Sequence, residues 1–150
     1  LFDSSIICAY FDTLRDGASL YPLDPEARWQ ALRLEALAEG LAEAGIAVRW
    51  ETVRRPEALR FANLRDGYVA KLESSYAWLE QHMDFGADLD VGRVALATTL
   101  DWIEFRNLPS FREFTMLSQW FDAFSSRPSM KATPLSGDTV DTPPATGGNI

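Results

Sequence analysis

The chain is poor in the residues that usually build reactive centres. It contains one cysteine, Cys8, and one histidine, His82. A single thiol cannot form an intramolecular disulfide, which fits a reducing compartment. One Cys and one His cannot make a zinc site of the usual kind, and no metal is expected. Basic residues are also scarce, with 14 Lys and Arg against 22 Asp and Glu, a net charge of −8 and a pI near 4.6. Nucleic-acid phosphates favour concentrated positive charge, so that class of partner is excluded. There is no apolar run of membrane-spanning length and no charged-then-apolar leader, which leaves no membrane partner and a cytoplasmic location as the expectation. The sequence has no GxxxxGK[ST] phosphate loop, no HExxH, no CxxC and no GxSxG nucleophile elbow.

What the chain does have is apolar mass. Its 150 residues are 47% hydrophobic and 12% aromatic, with five Trp. A domain of that length buries about two-thirds of its unfolded surface without a staple or metal. No strand shows period-2 alternation and no internal repeat is visible, so the expected fold is all-α, a bundle of about five helices.

The helices can be followed along the chain. After Asp3, the residues Ile6, Ile7, Tyr10, Phe11 and Leu14 recur on one helical face, with Asp3 or Ser4 as cap and Gly17 as the end. "GASLYPLDPEAR" is a connector, in which Asp24 caps a second helix with Pro25 at its first position. That helix is expected to run to about Ala44 and to continue with a bend through "AVRWETVRR". Pro56 is read as opening a third helix, with a stripe of Phe61, Leu64, Tyr68, Leu72, Tyr76, Leu79 and Met83. Asp90 caps a fourth, with Leu89 and Val94 at the two positions of a hydrophobic staple. The fourth is apolar on two sides, Val91, Val94, Thr98, Trp102 and Phe105 on one and Leu96, Leu100 and Ile103 on the other, and is therefore expected inside the others. "FREFTMLSQWFDAFSSR" forms a last amphipathic helix, and 135–150, rich in Pro, Gly and Thr, reads as a flexible tail.

Few side chains offer chemistry. Cys8 reads as a small buried hydrophobe, and His82 as a cation near a helix C-terminus. The pairs Glu39 with Glu43 and Asp101 with Glu104 share helix faces, and in so acidic a chain they read as solvated surface. Trp78, Trp102 and Trp120 fall in apolar stripes as core. Trp29 and Trp50 flank the long helix, where core is the favoured reading and a groove or subunit contact the alternative. The distinctive feature is the opening Asp3-Ser4 at a helix N-terminus. Free amides there, with Ser4, can hold a carboxylate while Asp3 faces an ammonium group, a receptor for the α-amino-acid end of a small molecule. On spacing alone, a simple N-cap is the stronger reading.

Taken in order, the segments resemble a family. "LFDSSIICAYFDTL" resembles the end of the thioredoxin-like domain of bacterial glutathione S-transferases, where "DS" before an apolar helix holds the γ-glutamyl end of glutathione. "YPLDPEARWQALRLEALAEGLAEA" is similar to their linker and first bundle helix, and "RRPEALR" to the start of the second. "LDVGRVALATTLDWIEFRNL" resembles the buried central helix with its capping box and staple, and "LSQWFDAFSSRPSMKATP" the closing pattern. The resemblance runs from residue 1 to about residue 134.

It implies a last thioredoxin-domain helix over 1–17, a linker over 18–24 and a helical bundle over 25–134, followed by the tail. It implies glutathione as co-substrate, a hydrophobic electrophile as second substrate, and a homodimer built across the first helix and the long one. Only Asp3 and Ser4 carry over as glutathione-binding positions. Leu1 and Phe2 resemble the end of the last strand of a thioredoxin-like sheet. The family's thiolate-stabilising Ser, Cys or Tyr and its cis-Pro lie upstream of the matching segment, so the chain alone is expected to be inactive, either as a piece of a longer protein or as one that has lost its catalytic half. The family also has Ser or Thr at the N-cap of the central helix and Asp at N3, where this chain has Asp90 and Arg93. A cation at a helix start costs roughly a few tenths of a kcal/mol unless Asp90 pairs with it. A non-enzymatic association module of the same helical fold is the alternative function.

Overall fold

Asp24 and Pro25 start the longest helix in the way their residue types dictate. In the computed structural model, which describes residues 2–14, 16–86 and 88–138, all regular elements among the described residues are helical. Leu1, read above as the end of a strand, and 139–150 of the expected tail lie outside the described residues.

Helix α1 spans Ser4–Leu14, and Gly17 follows it at φ 116°, in the left-handed region that glycine tolerates. Helix α2 spans Pro25–Arg49; Asp24 accepts the Ala27 amide at 2.9 Å and Pro25 occupies the first turn. It passes Gly40 and Gly45 unbroken and continues through the expected extension, ending in a π-helical turn over Trp50–Arg54. Gly45 persists in a helix interior because Trp102 packs onto it, and a β-carbon there would come within 2.7 Å of the indole ring.

The third helix does not open at Pro56. A 3₁₀ turn covers Glu57–Leu59, and α3 spans Ala62–His82. The reason is Glu51, 3% exposed, whose carboxylate accepts the Phe61 amide at 2.7 Å and pairs with Arg55 at 3.1 Å. These bonds hold the connection around Pro56 and delay the helix. Of the α3 stripe, Leu72, Tyr76 and Leu79 are buried, whereas Phe61 and Leu64 are exposed.

Helix α4, Val91–Phe105, packs chiefly on α2 and also on α5, Thr115–Ser125. It buries Val91, Gly92, Leu96, Ala97, Leu100 and Ile103. Thr98 and Phe105, expected on an inner face, are exposed, so α4 is buried on a broad stripe rather than all round. A short α6, Pro128–Ala132, closes the chain's packed part. The main core runs through Leu41, Leu72, Tyr76, Leu100, Phe111 and Leu117, with the Tyr76 hydroxyl donating to the Pro109 carbonyl at 3.1 Å. Burial pushes the Tyr76 phenol well up, so it remains a donor.

The tryptophans divide differently from the sequence expectation. Trp120 is buried and Trp78 and Trp102 pack partly against the core, but Trp29 and Trp50 are exposed on α2 and its π-turn. Cys8 is exposed as well, because α1 presents no buried face among the described residues.

Candidate functional site

The N-terminal end of α1 is built from two exposed residues. One Asp3 carboxylate oxygen accepts the Ser4 amide and, at 3.1 Å, the Ser4 hydroxyl. The first intrahelical bond runs from the Ile7 amide to the Asp3 carbonyl at 3.0 Å, so the amides of Ser5 and Ile6 precede it. Asp3 thus caps α1, and the turn beside it offers amides, a hydroxyl and a carboxylate to solvent. This is the donor and acceptor set that the α-amino-acid end of a small molecule requires.

No residue of α1 is fully buried, so its placement leans on the connector and on the packing of Ala9. Asp12 accepts the Leu20 amide at 2.9 Å and also the Ser19 hydroxyl. The Tyr21 hydroxyl donates to the Ser5 carbonyl at 3.3 Å. The Tyr21 ring is buried in a small satellite core with Ala31 and Val91, against which Ala9, Leu20 and Leu32 pack. Burial, and next the charge of Glu35, pushes the Tyr21 phenol up to about 12, so it stays protonated and donates. The sequence reading missed Tyr21 as a structural joint. Its only signal was an aromatic residue inside a turn-rich connector.

Glu35 was missed too. This α2 carboxyl is 7% exposed, and burial, then Glu39, raises its pKa above the ordinary carboxylate value. Glu39 and Glu43 are exposed, as a solvated face requires, and Asp101 is half-buried with its pKa raised by burial and then by Glu104.

At the start of α4, the buried Asp90 accepts the Arg93 amide at 2.8 Å and pairs with the Arg93 guanidinium. That ion pair offsets the cost of a cation at a helix start. Leu89 is exposed and Val94 is half-buried against the main core. A cavity of about 710 Å³ opens beside this turn, lined among others by Arg33, Leu34, Trp78, His82, Met83 and Arg93. The Arg33 guanidinium lies 5.1 Å from the Trp78 ring, and the His82 ring stacks on Trp78 with 4.9 Å between centroids. His82 Nδ1 lies 2.9 Å from the Trp78 carbonyl, which can only accept, so Nδ1 is the donor of this bond. The lining also includes Ser19, Asp84, Asp88 and Asp90, and no group of candidate metal ligands occurs among the described residues. No described helix is long and apolar enough to cross a membrane.

A helical bundle preceded by one apolar helix with Asp-Ser at its start defines the class of fold, and solved structures identify it. Two structures of a glutathione transferase family member from Pseudomonas fluorescens Pf-5 are similar to this chain. The one with bound S-(propanoic acid)-glutathione is 33% identical, with a TM-score of 0.84 over 91% of this chain and 72% of that one. The one with bound glutathione is 32% identical, with a TM-score of 0.85 over 91% and 69% of the two chains. A glutathione S-transferase from Methylobacillus flagellatus KT with glutathione bound is 26% identical, with a TM-score of 0.79 over 90% of this chain and 70% of that one. No family model and no curated protein sequence matches the chain. The chain belongs to the glutathione transferase family, and its all-helical architecture is that of the family's C-terminal domain.

Proposed function

We propose that this chain serves a glutathione transferase, in which the thiolate of glutathione bonds to an electrophilic centre of a hydrophobic substrate by addition or with loss of a leaving group, or two glutathiones reduce the substrate and leave as their disulfide. The observation that carries this reading is the likeness over 91% of the chain to a structure holding a glutathione thioether. Asp3 and Ser4 bind the γ-glutamyl end: the carboxylate meets Ser4 and the first-turn amides, and Asp3 faces the ammonium. Residues 1–17 are the last helix of the glutathione-binding, thioredoxin-like domain, 18–24 the linker, and 25–134 the bundle. The thiolate-stabilising group belongs to the thioredoxin-like domain, and none of the residues described here is assigned that role. The chain alone is inactive in this reading.

The protein works in the cytoplasm as a homodimer that joins α1 and α2 of two copies. Trp29, 70% exposed on α2, supports that arrangement, since a lone monomer gains nothing from a solvated indole. Calorimetric titration of glutathione tests the site: micromolar binding that Ser4→Ala abolishes supports it, and binding indifferent to Ser4→Ala removes it.

The exposed apolar side chains of α1, namely Ile6, Tyr10, Phe11 and Leu14, with Phe2 just before it, favour a second reading, a helical association module without transfer chemistry. Stable association with no glutathione binding selects that reading.

A further inference from the structure

The site reading above leaves open what aims the Asp3-Ser4 turn. A helix with no buried residue cannot fix its own orientation, and α1 is such a helix. Among the described residues, two polar joints hold it beside the packing of Ala9 on the satellite core. Asp12 grips Leu20 and Ser19 near its C-terminal end, two turns from Ser4. Tyr21 reaches the other end, where its hydroxyl donates to the carbonyl of Ser5, the residue next to Ser4.

The Tyr21 ring is itself anchored to the bundle. It is 7% exposed, packs with Ala31 of α2 and Val91 of α4, and lies under the Arg28 guanidinium at 5.4 Å. The Val91 amide donates to the Leu20 carbonyl at 2.9 Å, which ties the backbone before Tyr21 to the start of α4. The ring is therefore set by two bundle helices, and the hydroxyl transmits that setting to the first turn of α1.

We propose that Tyr21 is a positioning residue for glutathione recognition: through its bond to the Ser5 carbonyl it aligns Ser4 and the first-turn amides with the γ-glutamyl carboxylate. The inference rests on the Asp3-Ser4 reading. Convergent donors at a helix start bind an anion well only when they point at one place, and a small displacement of the turn spoils that alignment.

The test is titration of glutathione into the full chain and its variants Tyr21→Phe, Asp12→Ala and Ser4→Ala, with amide hydrogen exchange over residues 4–8. Tyr21→Phe keeps the ring and its packing and removes only the hydroxyl. The expected result is an unchanged Tm, faster exchange in the first turn and a glutathione Kd raised about threefold to tenfold. In an active form, the KM for glutathione rises while kcat holds. Asp12→Ala loosens the far end of α1, and the expected change in Kd is less than about twofold, because the first turn keeps its own joint. An unchanged Kd in Tyr21→Phe, with binding lost in Ser4→Ala, overturns the role of Tyr21 and leaves the site intact. Equal losses in Tyr21→Phe and Asp12→Ala reduce Tyr21 to a general tether and overturn it as well. Failure of the unsubstituted protein to bind glutathione, or indifference to Ser4→Ala, overturns the site reading itself.

Discussion

The carbonyl of Ala31 on α2 lies against Gly92 on α4, where a β-carbon would stand 2.3 Å from the carbonyl oxygen and 2.8 Å from the Leu34 β-carbon. The two longest-contacting helices of the bundle meet here with nothing between their backbones. Backbone cannot swing away as a side-chain tip can, so Gly92→Ala forces the helices apart. The expected loss is about 2–3 kcal/mol, in the upper part of the cost of overpacking a tight core. Thermal unfolding followed by circular dichroism checks it; Gly67→Ala on α3, where a β-carbon meets nothing within 4 Å, is the matched control and is expected to be neutral or slightly stabilising.

Arg112, in the connection between α4 and α5, ties the end of α4 to α5. Its guanidinium makes a two-point pair with Glu104, bonds Asp122 at 2.6 Å and Ser118 at 3.1 Å, and lies 5.0 Å from the rings of both Phe111 and Phe121. These bonds, led by those to Glu104, raise its pKa further, so the charge is permanent. A lysine ammonium cannot reproduce a planar fork between two carboxylates and two rings. Arg112→Lys is expected to destabilise the bundle by about 1–2 kcal/mol. Half-exposed ion pairs are screened, so part of that difference should disappear in urea titrations at 1 M salt, on the order of a third to a half. The aromatic contacts account for the remainder.

Local chemistry made much of the fold legible in advance. Asp24-Pro25 and Asp90 act through one or two residues, and both caps stand where their residue types place them. Where tertiary contacts overruled local signals, the sequence misled. Pro56 looks like a helix start, but a buried carboxylate five residues before it, Glu51, holds the Phe61 amide five residues after it. Nothing local marks that bond. Gly45 weakens the helix on local propensity alone, but the indole that requires it comes from α4. The apolar face of α1 predicts burial of Cys8, and no described partner covers that face. The Asp3-Ser4 turn was visible because it is a contiguous pair. The Tyr21 joint, sixteen residues from Ser5, was not.

Glu80 shows how one helix receives another. Helix α5 has no capping side chain of its own, since Phe114 occupies the N-cap. The Glu80 carboxylate on α3 fills that role from outside, with one oxygen 2.9 Å from the Met116 amide and the other 2.9 Å from the Leu117 amide. Two charge-assisted bonds at the positive end of a helix make Glu80→Ala costly, by about 1–2 kcal/mol. Glu80→Gln retains one acceptor oxygen and is expected to lose about half as much. Hydrogen exchange separates this from a general loss of stability: in Glu80→Ala the amides of Met116 and Leu117 exchange faster, while those of α2 keep their protection relative to global unfolding.

Glu35 makes stability depend on pH in a predictable sense. Its carboxyl is buried and makes no described hydrogen bond, and burial, followed by Glu39, raises its pKa in the folded state. An unfolded glutamate ionises near about 4.3. Between that value and the raised folded one, the folded protein holds a proton that the unfolded chain has released. Stability is therefore fully present below the unfolded pKa and falls as pH rises through the folded one. Glu35→Gln removes the charge and keeps the shape. At pH 7 it is expected to stabilise the protein and raise its Tm. At pH 4 most of the gain should vanish, because Glu35 is then mostly neutral in both states. A gain that is the same at pH 4 and pH 7 assigns the effect to packing instead of to the buried charge.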